Sequence, residues 1–429
     1  MRRKMAASIL SLARNSAARR SGLRRALAAL VFALSSMAPA VGQTPVSVIA
    51  SHIENATDHT RLTFDLTGPV AAHVWPIANP ARIIVDLPEV TFQMEPSASR
   101  GSGSKLIRAY RFGQFAPGRS RVVIDLAAPA TAVRVESQPA ASGARLIIEL
   151  APISAARFTA DAQAAGAIPA AKPSAAPPAP LGLAPLAPTE KPVVMIDPGH
   201  GGVDQGAVAR NGTEEKMIVL AFARALREKI EAGGRLHAVL TRDDDIFLPL
   251  AERVALAHRA NAALFLSIHA DTLAAPHVEG ATVYTVSAAA SDAEAARTAE
   301  HENSADQAAG LESPAADGEI GDILFDLTRR ETHAFSRQFS HSLVTRWKEA
   351  GSLNKNPTRS AGFVVLKAHD IPSALLELGY VSSAKDLARL TSPEWRDRAA
   401  GKTAEAIEAF FAARASAAAA PAPDTPRPE

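Results

Sequence analysis

Two apolar runs constrain this chain more than any other feature. KPVVMI at 191–196 passes directly into DPGHGG, and NAALFL at 261–266 passes into SIHAD, so each run ends at a loop carrying a histidine. Unbroken apolar runs of this length read as strands buried on both faces, the pattern of a parallel sheet covered by helices. Around them strand-like and helical patterns alternate: KPVVMID, a helix from Glu214, HAVLTR, a helix from Leu250 to Ala260, LFLSIH, then further strands at GATVYTV, GFVVLK and SALLELGYV. This order predicts an α/β fold over residues 191–413, a mostly parallel sheet flanked by helices. Ligands of such sheets bind beyond the carboxyl ends of the strands, where both histidines stand.

The helix between the two runs adds a carboxylate. Glu215, Ile218, Val219, Phe222 and Leu226 fall on one helical face, so Glu215 shares the apolar side that meets the sheet. A carboxylate is rarely buried unless it is paired or bound to a metal. His200, Glu215 and His269 therefore form a His2Glu set, a combination that on a catalytic zinc leaves a position open for water. A further acid, Glu377, stands inside the apolar stretch IPSALLELGYVSS at 371–383, where an unpaired charge is costly and a proton-transfer role is favoured over a solvated face. The other histidines, including His237, His258, His301, His333, His341 and His369, lack the strand-end context and read as surface or packing residues.

The 429 residues allow two or three domains, and a hydrophobic content of 47% is ample for their cores. A formal net charge of +2 argues against nucleic acid as a partner. Residues 1–42 read as an export signal: scattered Arg and Lys up to Arg25, the apolar stretch ALAALVFALSSMA, and a small-residue cleavage site at Ala38-Pro39-Ala40. The pairs Arg19-Arg20 and Arg24-Arg25 leave both the general secretory and the twin-arginine route open. No other stretch approaches the roughly 20 apolar residues of a membrane span, so no transmembrane anchor is expected. Cysteine is absent, which leaves histidine and carboxylate as the metal-binding chemistry and suits an oxidising periplasm.

Residues 45–152 contain a repeated hexamer: RLTFDL at 61–66, RIIVDL at 82–87, RVVIDL at 121–126 and RLIIEL at 145–150. Each is a β-branched, apolar run with turn formers nearby, and together they predict a small all-β sandwich built from a duplicated strand unit. Residues 153–190 are dominated by Ala and Pro and read as a semi-extended linker with nothing to bury, and residues 414–429 as a disordered tail of the same character.

The β region, through NPARIIVDLP at 79–88 and SKLIRAYRFGQF at 104–115, resembles the AMIN domain of bacterial envelope proteins. That resemblance implies a sandwich targeting cell wall or septum. With DPGHGGVDQGA, GTEEK, LTRDDD, SIHAD and PSALLELGYVS in order, residues 191–413 resemble the zinc-dependent N-acetylmuramoyl-L-alanine amidases. The likeness implies His200, Glu215 and His269 as ligands of one Zn2+, Glu377 as catalytic acid/base, and hydrolysis of the amide between the lactyl group of N-acetylmuramic acid and L-alanine of the peptidoglycan stem peptide. Asp197 and Asp204 match motif positions and are expected to fix the loop around the ligands. The acidic, Ala-rich stretch 287–321 resembles the regulatory insertion of division-associated amidases. It implies an occluding helix whose glutamate, Glu302 or secondarily Glu300, fills the open position until a LytM-type activator withdraws it. Periplasmic location, septal recruitment and daughter-cell separation follow from the same likeness. Two competing readings are a zinc peptidase or deacetylase acting on another wall amide, and a catalytically dead wall-binding protein. The second is disfavoured because His200, Glu215, His269 and Glu377 are all present.

Overall fold

The computed structural model describes residues 45–94, 104–167, 191–273, 278–311 and 323–419. The expected export signal and most of the expected linker lie outside the described residues.

The all-β region consists of β1 (Val46–Asn55), β2 (Thr60–Leu66), β3 (His73–Ile77), β4 (Arg82–Pro88), β5 (Val90–Phe92), β6 (Ile107–Ala116), β7 (Arg119–Leu126), β8 (Ala130–Ala140) and β9 (Gly143–Pro152). They form two sheets, ordered β5-β1-β2-β9-β8 and β3-β4-β7-β6. Their apolar faces share one core, in which Leu62, Phe64 and Ile148 of the first meet Ile83, Val85 and Val122 of the second. The four hexamers are β2, β4, β7 and β9. The inner two copies share one sheet and the outer two the other, so the pairing joins the first to the fourth and the second to the third. Antiparallel register then sets each arginine opposite the acid of its partner: Arg61 against Glu149, Asp65 against Arg145, Arg82 against Asp125 and Asp86 against Arg121. Opposite charges facing across strands stabilise a sheet modestly, which explains why all four runs carry the same ends.

The stretch expected to be linker from residue 153 instead begins with a helix, α1 (Ala155–Ala167). Its Phe158 packs into the sandwich core and Ala162 is buried, so the Ala-rich segment does have something to bury.

The C-terminal half runs β10 (Val193–Pro198), α2 (Glu215–Gly233), β11 (His237–Leu240), α3 (Leu250–Arg259), β12 (Ala262–His269), β13 (Ala281–Val286), α4 (Ala293–Asn303), α5 (Ala305–Ala308), α6 (Ile323–Trp347), β14 (Leu353–Ala361), β15 (Ser373–Glu377), α7 (Ala384–Leu390) and α8 (Pro393–Ala419). Among the described residues its six strands are ordered β11-β10-β12-β15-β13-β14. All neighbours are parallel except β13 and β15. Apolar cores lie on both faces, one gathering Phe222, Leu226, Trp347 and Phe410, the other Phe265, Leu256 and Phe363. Each such side chain contributes about 1.5–3 kcal/mol on full burial. Among the described residues no helix is long and apolar enough to cross a membrane. The last helix continues to Ala419, past the expected start of the tail at Arg414.

One expected strand is not a strand. GFVVLK forms a 3-10 turn over Val364–Leu366, while the adjoining polar segment Leu353–Ala361 supplies β14. The amide of Asn303 takes the backbone groups a neighbouring strand would have used, accepting from Val364 N at 2.8 Å and donating to Gly362 O at 2.9 Å. Phe363, Val365 and Leu366 are thereby turned into the core beside α3.

Candidate metal centre

Four elements converge beyond the carboxyl edge of the sheet. His200 lies in the loop after β10, His269 is the last residue of β12, Glu377 is the last of β15, and Glu215 is the first of α2. His269 and Glu377 are register neighbours on adjacent parallel strands.

The loop holding His200 is fixed from behind. Asp197 is wholly buried and accepts from Arg253 at 2.9 Å, Thr241 at 2.6 Å and Ser267 at 2.8 Å. Burial alone would raise its carboxyl, but the charge of Arg253 and these donors outweigh that and hold it below the ordinary range. Arg253 also donates to Pro198 O at 2.9 Å and His200 O at 2.7 Å, while Arg242 donates to Pro198 O at 3.0 Å and Gly199 O at 2.7 Å. Two buried guanidinium groups thus replace the backbone pairing that a loop lacks. They hold His200 at a φ of 55°, a left-handed backbone that costs a non-glycine residue about 1–3 kcal/mol. Gly199 permits the neighbouring approach: a Cβ there would lie 2.3 Å from the His269 ring. Neither arginine stands out in the sequence as a site residue. Arg242 lies within the LTRDDD motif, but Arg253 is one cation of an ordinary amphipathic helix and leaves no local signal.

His200 Nδ1 stands 2.9 Å from the Asp204 carboxylate, which accepts its proton and so turns Nε2 inward. Glu215 accepts from Ala207 N at 2.8 Å through one oxygen and from Ala270 N at 2.7 Å through the other. Its Oε1 also stands 3.2 Å from His200 Nε2 and 3.3 Å from His269 Nδ1. A fourth group enters from α4: Glu302, 3% exposed, places Oε2 3.0 Å from His269 Nδ1 and 3.4 Å from His200 Nε2. One ligand atom from each of His200, Glu215, His269 and Glu302 lies within 4.8 Å of the others. Glu300 is on the exposed side of the same helix.

His200 Nε2, His269 Nδ1 and Glu302 Oε1 are buried without a hydrogen-bond partner. Unpaired nitrogen and carboxylate atoms facing one point fit a divalent cation such as zinc, which takes this donor set. The electrostatics agree. Burial would lower both imidazoliums, but the charges of Glu215, Asp204 and Glu302 raise His200 well above its ordinary value, and chiefly Glu302 with Glu215 raises His269 to about 10. Burial would raise Glu215, but the two histidines pull it well below the usual carboxylate range.

Glu377 is fully buried, accepts from Asp271 N at 3.0 Å, and keeps Oε1 unpartnered. Desolvation, reinforced by Asp271, Glu302 and Glu215 against the opposing His269, raises it well above the usual range. Asp271 is likewise raised by burial and by Glu302 and Glu215, to about 7. His301, expected as a surface or packing residue, is largely exposed yet reaches Asp271 at 3.5 Å. Below Glu302 the remaining space is about 10 Å³, lined by Gly199, His200, His269 and Asn303 among others. That is scarcely room for one water, and none for a peptide.

A buried His/Glu cluster beyond the carboxyl edge of a mostly parallel sheet marks an α/β protein whose ligand site has donors suited to a divalent cation. The N-acetylmuramoyl-L-alanine amidase pattern matches residues 194–409 and the AMIN domain pattern residues 52–151. The chain is 32% identical over 381 residues to the N-acetylmuramoyl-L-alanine amidase AmiC of Escherichia coli O6:H1, covering 85% of this chain and 89% of that one. It is 30% identical over 413 residues to AmiC of Neisseria meningitidis serogroup B, covering 92% and 97%. Among solved structures it is similar to AmiC2 of Nostoc punctiforme, with 27% identity, a TM-score of 0.38, and coverage of 52% of this chain and 99% of that one. This chain belongs to the N-acetylmuramoyl-L-alanine amidases, peptidoglycan hydrolases, and carries an AMIN domain ahead of its catalytic half.

Proposed function

We propose that the chain is a zinc-dependent periplasmic amidase, restrained by α4 and used to separate daughter cells. The observation that carries this reading is Glu302, a fourth carboxylate on a helix outside the sheet, aimed at the same point as His200, Glu215 and His269. Those three residues would hold the cation, the two imidazoles through the nitrogens left unpartnered and Glu215 through its carboxylate. When bound, the cation supplies Lewis-acid polarisation of the amide carbonyl and lowers the pKa of water. Asp204 keeps the His200 tautomer correct, and Arg242 and Arg253 hold the loop so that the lone pair does not turn away. Glu377, on the neighbouring strand end and shielded from solvent, takes the proton of the attacking water and returns it to the leaving amine of L-alanine. Its upward shift suits that exchange, because an ordinary carboxylate is too weak a base near neutrality.

In this reading residues 1–42 direct export, residues 45–152 direct the enzyme to peptidoglycan at the septum, and 153–190 link the halves, beginning with the docked helix α1. The insertion at 287–321 is the restraint, with Glu302 rather than Glu300 as its plug, and a LytM-type activator withdraws it. Occlusion protects the cell, since unrestrained cleavage of the wall is lethal. The test is metal analysis of the purified mature protein joined to identification of products from peptidoglycan. Zinc lost together with activity on chelation, and release of intact stem peptides from stem-free glycan, are expected. Shortened peptides or free acetate would overturn the substrate bond, and full activity after complete metal removal would overturn the cation.

A further inference from the structure

The segment directly after the occluding helix is gripped by the other half of the molecule. Arg111 on β6 donates to Ala308 O at 2.6 Å, and Arg121 on β7 donates to Ala309 O at 3.0 Å and Gly310 O at 3.3 Å. Both guanidiniums are aimed by carboxylates on their own sheet, Arg111 by Asp125 and Arg121 by Asp86, each at 2.6 Å. The carbonyls they meet close a short helix and have no continuing turn to pair with. Apolar contact completes the grip. Ala309 is wholly buried in a cluster with Ile84, Val123 and Phe247, and a Cβ on Gly310 would lie 2.5 Å from Ile84 Cδ1.

The rest of the segment is tied to the catalytic half. Asp306 accepts from Leu250 N at 3.0 Å, and Asn303 bonds the 3-10 turn. The sheet also reaches the catalytic half independently of this segment. Gln114 O accepts from Val203 N at 3.3 Å and from Phe247 N at 3.4 Å, and Phe115 stacks on Phe247 with ring centres 5.8 Å apart. Losing the segment therefore need not undock the domains.

We propose that the β3-β4-β7-β6 face of the AMIN domain is a receptor for the chain's own segment 305–311, and that this grip holds Glu302 over the metal centre. The inference rests on the occlusion proposed above and deepens it: the wall-directed domain is part of the lock. Withdrawal of α4 then requires rupture of the Arg111 and Arg121 bonds, so anything that occupies those arginines also favours the open enzyme.

Three variants of the mature full-length chain decide it: Arg111→Ala on the sheet, Ala309→Asp on the segment, and Glu302→Ala at the plug. Basal hydrolysis of dye-labelled peptidoglycan is read without activator, together with hydrogen exchange of amides 293–311. Each grip variant is expected to raise hydrolysis at least about fivefold, the effect of losing one such contact. Exchange at 305–311 should rise with it while β2 and β9 stay protected, and addition of Glu302→Ala should bring little more. If Glu302→Ala activates and both grip variants leave hydrolysis and exchange at the wild-type level, the receptor face is wrong and the plug stands. If Glu302→Ala itself leaves hydrolysis unchanged, the occlusion proposal falls and the lock with it. Should Arg111→Ala expose the sandwich core, Ala309→Asp, which alters neither the sandwich core nor the two cores of the catalytic sheet, decides between these outcomes alone.

Discussion

The two halves of this molecule use the same charged residues in opposite settings. On the outer sheet of the sandwich, Arg145 meets Asp65 at 2.9 Å with the arginine side chain 52% exposed. In the catalytic half, Arg253 meets Asp197 at the same 2.9 Å with both side chains almost wholly buried. Between them stands Arg121 with Asp86, a sandwich pair of the repeated hexamer that the catalytic half and its 305–311 segment have covered. Equal distances thus conceal unequal consequences. Water screens the first pair, whereas the second holds a loop in a strained backbone and has nothing to replace it if one partner is lost. Burial, more than contact distance, separates a charge that decorates a fold from one that organises a site.

That contrast can be broken in order of expected effect. Glu377→Gln should lower amide hydrolysis by about 100- to 10,000-fold, with a melting temperature equal to or above that of the wild type, because the amide keeps the shape of a buried carboxyl whose ionisation is disfavoured there. Activity within a few fold of wild type would remove Glu377 from proton transfer. Arg253→Ala should destabilise the fold by about 3–5 kcal/mol, the result of stranding a buried carboxylate. Denaturant melts showing less than about 1 kcal/mol would mean the pair resembles a surface bridge after all.

A pH profile tests the centre as a unit. In chelator-treated protein His269 is held near 10 against an ordinary 6.5, and His200 is raised as well, so their stabilisation is complete below about 6.5 and is lost as pH rises through the folded value. Thermal stability of the metal-free protein should accordingly fall between pH 7 and about 10. Loading with zinc should weaken that slope, since the cation displaces those protons. A flat metal-free profile would show that the histidines are not coupled to Glu215 and Glu302. At the small end, Arg145→Ala should change stability by no more than about 1 kcal/mol and leave wall hydrolysis intact. A larger loss would erase the distinction between the two halves.

Much of the centre was legible because local rules suffice for it. An apolar run that stops at a glycine-flanked histidine marks a strand end, and the spacing from Glu215 to Leu226 puts the carboxylate on the buried face. The hexamers announced strands, yet not which would pair, since the first copy joined the fourth across the whole domain rather than the second beside it. From the sequence Glu302 ranks ahead of Glu300, and the packing of α4 gives the physical reason for that order. Ala295, Thr298 and Ala299 turn one face of α4 inward and carry Glu302 with them. GFVVLK has every propensity for a strand and failed to form one because Asn303, far away in sequence, took its backbone groups.

The sequence by itself determined the strands that carry the site, the amphipathic face of α2, and the presence of two histidines and two glutamates in buried settings, because side-chain periodicity and the cost of burying charge act over a few residues. Only the tertiary structure decided that Arg242 and Arg253 clamp the histidine loop, that Phe158 closes the sandwich, and that Arg111 and Arg121 reach the segment behind Glu302. Those contacts join residues far apart in the chain. Their strength comes from the exclusion of water by the packed halves, a condition no short stretch of sequence can encode.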